Sequence, residues 1–339
     1  MAFQLVFHQC SQNFQEGCRS VIEQWENDLS SLFVKTSGST GTPKTIELTK
    51  AQITASALRT NEQFDLNEQS QVVLSLSPAT IGGKMILIRA YLGDYIVHVV
   101  EPSRDPFENL PVARVYDFIS LVPFQLEYLV QNQLSELKRF KQILLGGSPI
   151  SAYFEQQLLT LHTQIQSKII VGFGMTETVS HIALRELGNP IYTCLNNVSI
   201  TSKGGSLIIE DKELDIHNLQ TNDAIILHNN HQFEWIGRTD FVINSAGVKI
   251  HPELLENAVG EYFKEAFIVA GLSDELLGER CVILCEEDPK AIDLKAIQIT
   301  IKELFGKYAV PKSIIQHSLC YSGTKIQRRA TIKTLLEQA

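Results

Sequence analysis

No CxxC pair occurs in this sequence, and its six cysteines (Cys10, Cys18, Cys194, Cys281, Cys285 and Cys320) are scattered along it, with Cys281 and Cys285 four residues apart. That scatter argues against a zinc ribbon or a disulfide frame and suits reduced, structural thiols. No apolar run approaches the roughly 20 residues that cross a bilayer. The first residues, MAFQLVFHQCSQNF, lack the basic n-region and long apolar stretch of a signal peptide. There is no excess of positive charge: the net charge is −9, which disfavours a general nucleic-acid binder while leaving room for a local basic pocket. Repeats and low-complexity tracts are missing too. The expectation from these absences is a soluble cytoplasmic protein with no membrane span and no nucleic-acid partner.

What is present is an ordinary globular balance, 44% hydrophobic and 20% charged over 339 residues, enough for a large and a small domain. Apolar β-like runs at Leu32–Val34, Val72–Leu76, Tyr95–Val99, Phe118–Leu121, Gln142–Leu145 and Lys168–Val171 alternate with helical stretches near 50–63, 83–92, 123–131 and 151–162. Runs apolar on both faces predict a mostly parallel sheet covered by helices. From about residue 191 the texture changes to short strands at Val198–Thr201, Leu207–Ile209, Ala224–Leu227 and Phe233–Trp235, separated by KGG and HNNH turns that predict antiparallel hairpins. A second α/β texture follows, with helices expected at 252–262 and 293–306 and strands at 266–271 and 280–286. The expected division is residues 1–238 as a large domain and 239–339 as a small one.

The densest chemical signal is TSGSTGTPK, residues 36–44. Small residues let backbone N–H groups approach an anion, the hydroxyls of Ser37, Ser39 and Thr40 add donors, and Lys44 adds a point charge. A polar surface turn is the bland alternative. A Walker A loop is the sharper one, but its GxxxxGK[ST] spacing fails, because five residues after Gly38 comes Pro43. Further stretches follow: GGSP at 146–149, GFGMTET at 172–178, TND at 221–223, GRTD at 237–240 with SAGVKI at 245–250, and GTKIQR at 323–328.

Taken in this order, the stretches resemble the adenylate-forming superfamily of acyl-CoA ligases, peptide-synthetase adenylation domains and luciferases. The resemblance implies an α/β adenylate-forming fold with a truncated N-terminal region, and ATP, Mg2+ and CoA as cofactor and co-substrates. It assigns nucleotide binding to Thr36, Ser37, Gly38, Ser39, Thr40, Gly41, Thr42 and Lys44, with Gly146, Gly147, Phe173, Gly174, Met175, Thr176, Asp223 and Arg238. Phe173 would stack on adenine, Thr176 contact the α-phosphate, Glu177 ligate Mg2+, Asp223 bind ribose, and Lys325 bridge carboxylate and α-phosphate. Asn222 departs from the usual glycine, and one residue is displaced before Lys325. Asp240 would be the pivot of a domain swing, with Gly247 facing CoA.

Only 35 residues precede the loop, where most members carry well over a hundred, so the core there must be trimmed or covered by a partner, and exposed apolar surface would favour a homodimer. Among reduced members, the chain resembles o-succinylbenzoate–CoA ligases of menaquinone biosynthesis, on the stretches TETVSHIA (176–183) and SPATIGGKMILIR (77–89). A dianionic aromatic acid needs a cation or several donors in its pocket. Thr80, Gly83, Lys84, Ser180 and His181 are the expected substrate-binding positions, with Arg89 a further cation; Thr80 stands where many members keep histidine. A core helix over 81–92 is the bland reading of this stretch. Another aryl or acyl acid, a carrier-protein thiol as acceptor, and a degenerate non-catalytic nucleotide-binding protein stay open at this point.

Overall fold

The computed structural model describes residues 2–35, 44–112, 114–322 and 325–338, leaving the side chain of Lys325 outside. The chain opens with β1 (Gln4–Phe7), α1 (Gln12–Glu26), β2 (Ser31–Lys35), β3 (Thr45–Thr49), α2 (Lys50–Gln63), β4 (Gln71–Leu74), α3 (Ile81–Gly93) and β5 (Ile96–Val99). It continues through β6 (Tyr116–Leu121), α4 (Pro123–Asn132), β7 (Phe140–Leu145), α5 (Ala152–Thr160), α6 (His162–Ile165) and β8 (Lys168–Gly174). Then come β9 (His181–Glu186), β10 (Ile191–Cys194), β11 (Val198–Lys203), β12 (Ser206–Asp211), β13 (Ile216–Asn229) and β14 (Gln232–Arg238). The last part holds β15 (Ile243–Ser245), β16 (Val248–Ile250), α7 (Pro252–Val259), β17 (Phe267–Asp274), β18 (Gly278–Cys285), α8 (Leu294–Phe305), β19 (Ile314–Gln316), β20 (Tyr321–Ser322), β21 (Lys325–Ile326) and α9 (Arg328–Gln338).

Among the described residues, twelve strands form one sheet, ordered β1-β5-β4-β6-β7-β8-β9-β10-β14-β13-β12-β11. It is parallel from β1 to β8 and antiparallel from β8 onward. The expected mostly parallel sheet is therefore mixed, because the antiparallel short-strand region continues the same sheet. The parallel half is buried on both faces: Val72 and Leu74 of β4 enter one core with Ile86, Val97 and Phe118, while Val73 enters the other with Tyr116, Ile119 and Ile143. Helix starts are set by side-chain caps, Ser11 for α1, Thr49 with Gln52 as a capping box for α2, and Thr80 for α3.

The sequence reading passed over β1 and α1. They form a βα unit at the sheet edge: β1 pairs in parallel with β5, and Cys18, Val21 and Trp25 of α1 are buried in the same core as α3. This is where the reading expected a trimmed or partner-covered core. β3 was missed as well, hidden because Thr49 reads equally as a strand end and a helix cap.

Residues 243–338 build a second sheet, β16-β15-β18-β17, with β19 beside β18. One face packs Ile243, Leu255, Val259, Val269, Ile283 and Ile297; the other packs Ile268, Ala270, Val282 and Leu284. No helix among the described residues is long and apolar enough to cross a membrane.

Candidate active site

Residues 36–43 and 323–324 lie outside the described residues, so Thr36, Ser37, Gly38, Ser39, Thr40, Gly41 and Thr42 are not placed. Their flanks are. β2 and β3 pair antiparallel with Lys35 opposite Thr45, and exposed Lys44 stands just before β3. For Lys325, the backbone pairs with Ser322 in the β20–β21 hairpin.

The GFGMTET stretch ends β8 and turns into β9. Gly174 pairs with His181 across a register shift. A methyl group on Gly174 would sit 2.2 Å from the Ser180 carbonyl oxygen and 2.6 Å from His181 Cα, so only glycine fits. Thr176–Thr178 form one 3-10 turn, leaving Glu177 exposed. Thr178 is fully buried; its Oγ1 accepts from the Met175 N–H at 3.0 Å and donates to the Ser180 carbonyl at 2.8 Å. Phe173 packs edge-on to Tyr192 and Phe233, with centroids at 5.7 and 5.1 Å. Gly146 and Gly147 follow β7, and Gly147 adopts φ +89°.

Asp223 and Arg238 face each other across β13 and β14, with carboxylate and guanidinium 4.0 Å apart. Trp235 Nε1 donates to Asp223 Oδ1 at 2.9 Å. Burial pushes the Asp223 carboxyl up against the opposing pull of Trp235 and Arg238. Arg238 makes a bidentate pair with Asp240, at 2.9 and 3.2 Å. Gly247 occupies an open turn between β15 and β16 at φ +82°.

The expected substrate positions separate into two groups. Thr80 caps α3, its Oγ1 accepting from the Gly83 N–H at 3.3 Å, and a methyl on Gly83 would lie 2.1 Å from the Ser77 carbonyl oxygen. Both residues thus build the start of α3. Half-buried Lys84 sits five residues before Arg89, about 140° away around the helix, so the two cations point apart. Desolvation lowers the Lys84 amine.

Arg89, Ser180 and His181 do come together. Arg89 is 4% exposed; its Nη2 donates to Ser180 Oγ at 2.9 Å, and that hydroxyl also bonds Ser56 Oγ at 2.9 Å. Neither Arg89 Nε nor His181 Nε2 has a hydrogen-bond partner among the described residues. Burial, then the Arg89 and Arg59 cations, hold the His181 ring well below its usual range, so it is neutral. Arg59 is buried and bonds Asp211 at 2.8 Å, with Nε and Nη2 unpartnered among the described residues. Ser56 and Arg59, both on α2, are not singled out by the sequence, because the mixed turn Ser56-Ala57-Leu58-Arg59-Thr60-Asn61 gives no sign that its polar side chains are buried.

A family model described as AMP-binding enzyme matches residues 13–214. The chain belongs to this adenylate-forming family. This AMP-binding enzyme is 25% identical to a 2-succinylbenzoate–CoA ligase of Listeria monocytogenes, over 87% of the chain and 68% of the relative. It is 26% identical to the enzyme of that name from Staphylococcus aureus (strain Newman), over 89% and 66%. Among solved structures, an acyl-CoA synthetase (AMP-forming)/AMP-acid ligase II-like protein from Dyadobacter fermentans is 30% identical, with a TM-score of 0.62 and 96% of both chains covered. The o-succinylbenzoate coenzyme A synthetase of Bacillus subtilis, solved with ATP and magnesium, shares the fold at a TM-score of 0.73 and 19% identity, over 88% and 69% of the chains.

Proposed function

We propose that the protein is an AMP-forming acid–CoA ligase that adenylates o-succinylbenzoate and passes the acyl group to CoA, a step of menaquinone biosynthesis. The observation that carries the choice of acid is Arg89: a guanidinium buried in the core and, among the described residues, bonded only to a hydroxyl, with Nε unpartnered. A buried cation without a carboxylate is costly and is retained where a ligand supplies the missing charge. The acid therefore carries a second carboxylate besides the one activated, seated by Arg89 and the Ser56 and Ser180 hydroxyls, with neutral His181 beside it. The names of the curated relatives support the same acid.

In the first half-reaction the substrate carboxylate attacks the α-phosphorus of ATP and pyrophosphate leaves. No general base is required, because the acid is ionised at neutral pH. The chain's task is positioning and charge stabilisation. The 36–44 segment holds the β- and γ-phosphates, Phe173 stacks on adenine, Asp223 and Arg238 hold ribose, and Thr176 with Lys325 meets the α-phosphate and the incoming carboxylate.

No cluster of three or more His, Cys, Asp or Glu that could hold a metal occurs among the described residues. That fits Mg2+ carried by phosphates and one carboxylate, for which exposed Glu177 is suited. Bound Mg2+ supplies charge neutralisation on the phosphates. The part from 239 onward rotates about Asp240 between half-reactions, withdrawing Lys325 and bringing the Gly247 turn toward CoA.

The test is a panel of acids supplied with ATP, Mg2+ and CoA, following pyrophosphate release and thioester formation. O-succinylbenzoate should be the best substrate, and benzoate and simple fatty acids poor ones. Faster turnover of a monocarboxylate would overturn the assignment, and a carrier-protein thioester without CoA thioester would overturn the acceptor.

A further inference from the structure

We propose that Val179 is a positioning residue that couples the acid pocket to the Glu177 carboxylate through a strained turn. The proposal rests on the acid–CoA ligase reading above. Val179 has φ +64° and ψ −53°, a backbone region that β-branched residues almost never enter. The Ser180 N–H donates to the Thr178 carbonyl at 2.6 Å, which closes a γ-turn of the rare, strained kind on Val179. Such conformations persist only where the surroundings over-determine them.

Here the two sides of the turn are each tied to one part of the site. On the N-terminal side, Thr178 Oγ1 accepts from the Met175 N–H, and the Val179 N–H donates to the Thr176 carbonyl at 3.0 Å. Glu177 sits inside that clasp. On the C-terminal side, the Ser180 backbone lies against Gly174, and the Ser180 hydroxyl is held by Ser56 and Arg89. Val179 itself is 1% exposed, so its side chain cannot swing away to relax the backbone.

A carboxylate arriving at Arg89 takes donors that now hold Ser180. Ser180 is the C-terminal anchor of the turn, and Glu177 lies two residues before its centre. Filling the acid pocket therefore resets the Glu177 backbone, and by linkage Mg2+-bound nucleotide at Glu177 tightens the acid site by the same factor. The strained residue makes the segment two-state: the turn is held by both anchors or released by one.

The test measures the Kd of o-succinylbenzoate by calorimetry, with and without the Mg2+ complex of α,β-methylene-ATP, a nucleotide whose α,β bridge cannot be cleaved and which therefore cannot adenylate the acid. In the wild type the nucleotide should tighten the acid by about tenfold, within the usual range of coupling between sites. In Val179→Gly, where the turn carries no strain, that ratio should fall toward one while each ligand alone binds within about threefold of wild type. Val179→Ala keeps the Cβ and should keep the coupling. Thr178→Val, which removes the Oγ1 clasp, should lose it and provides the second variant if the glycine chain does not fold. Full coupling in both Val179→Gly and Thr178→Val would overturn the proposal, as would equal loss in the alanine and glycine variants, which would assign the effect to side-chain packing. Acid binding without coupling in the wild type would overturn this inference alone; no acid binding at all would overturn the acid assignment and this inference with it.

Discussion

Replacing Arg89 by methionine should make the protein more stable and unable to hold its acid. Desolvation lowers the guanidinium pKa from its ordinary value to about 10, with Tyr95 opposing the shift. At neutral pH, well below the folded pKa, the whole cost of burying the cation is present, about 3 kcal/mol at 1.36 kcal/mol per pKa unit. Methionine removes that cost and suits a helix whose neighbours Ile86, Leu87 and Ile88 are buried. It also removes the bond to Ser180, a loss of about 1 kcal/mol, moderated because Ser180 keeps its bond to Ser56.

The net gain is about 2 kcal/mol. With an unfolding entropy of about 2.1 cal/mol/K per residue, a 339-residue chain unfolding as one unit shifts by about 3 °C. The acid loses charge-assisted hydrogen bonds of about 1.5–3 kcal/mol, a rise in Kd of roughly 10- to 150-fold. Scanning calorimetry and titration of o-succinylbenzoate read both quantities on one preparation. A lower midpoint combined with unchanged acid affinity would refute the reasoning, because Arg89 would then be a structural cation with a partner of its own.

Lys325→Ala should abolish acid-dependent pyrophosphate release yet spare thioester formation from a supplied acyl-adenylate; equal loss of both steps would remove Lys325 from its role. Gly174→Ala should lower the thermal midpoint, by roughly 1–3 kcal/mol of overpacking, because its methyl would meet backbone atoms at 2.2 and 2.6 Å, whereas Gly146→Ala, with nothing within 4 Å, should be tolerated. Glu253 packs its Oε2 against Gly237, and burial pushes its carboxyl up to about 7, with Arg328 pulling down and Glu256 pushing up. The folded chain keeps a proton that the unfolded chain releases near 4.5, so stability falls as pH rises between these values and the loss is complete above about 7. Glu253→Gln removes this loss, at most about 3 kcal/mol, and should raise the midpoint over wild type at pH 8 but not at pH 4.5; the same gain at both would show that the carboxyl does not titrate there.

The parallel half of the fold was legible because its strands are apolar on both faces, a pattern that survives without knowledge of partners: Val72, Val73 and Leu74 say that both sides are covered, whichever helices do it. α1 was missed although its signals were present, a Ser11 cap and burial at Cys18, Val21 and Trp25, because its mean polarity outweighed its one apolar stripe. The antiparallel half was readable as hairpins but not as a continuation of the same sheet, since joining β10 to β14 is a long-range pairing that no local pattern encodes.

The site divides in the same way. Glycine positions carry steric meaning that sequence states without naming the obstacle: Gly83 and Gly174 are required by the Ser77 and Ser180 carbonyls, one folding α3 onto its own entry and the other folding β9 onto β8. Thr80 and Gly83, two of the expected substrate positions, both have a part in starting α3. Arg89 is the reverse case. In sequence it is one charge in a core helix, and five residues away Lys84 offers an equal claim; only the helix phase and the missing carboxylate distinguish them. Charge acquires functional meaning from what fails to surround it, and that is a property of three elements, α2, α3 and β9, which the chain brings together from positions 56 to 181.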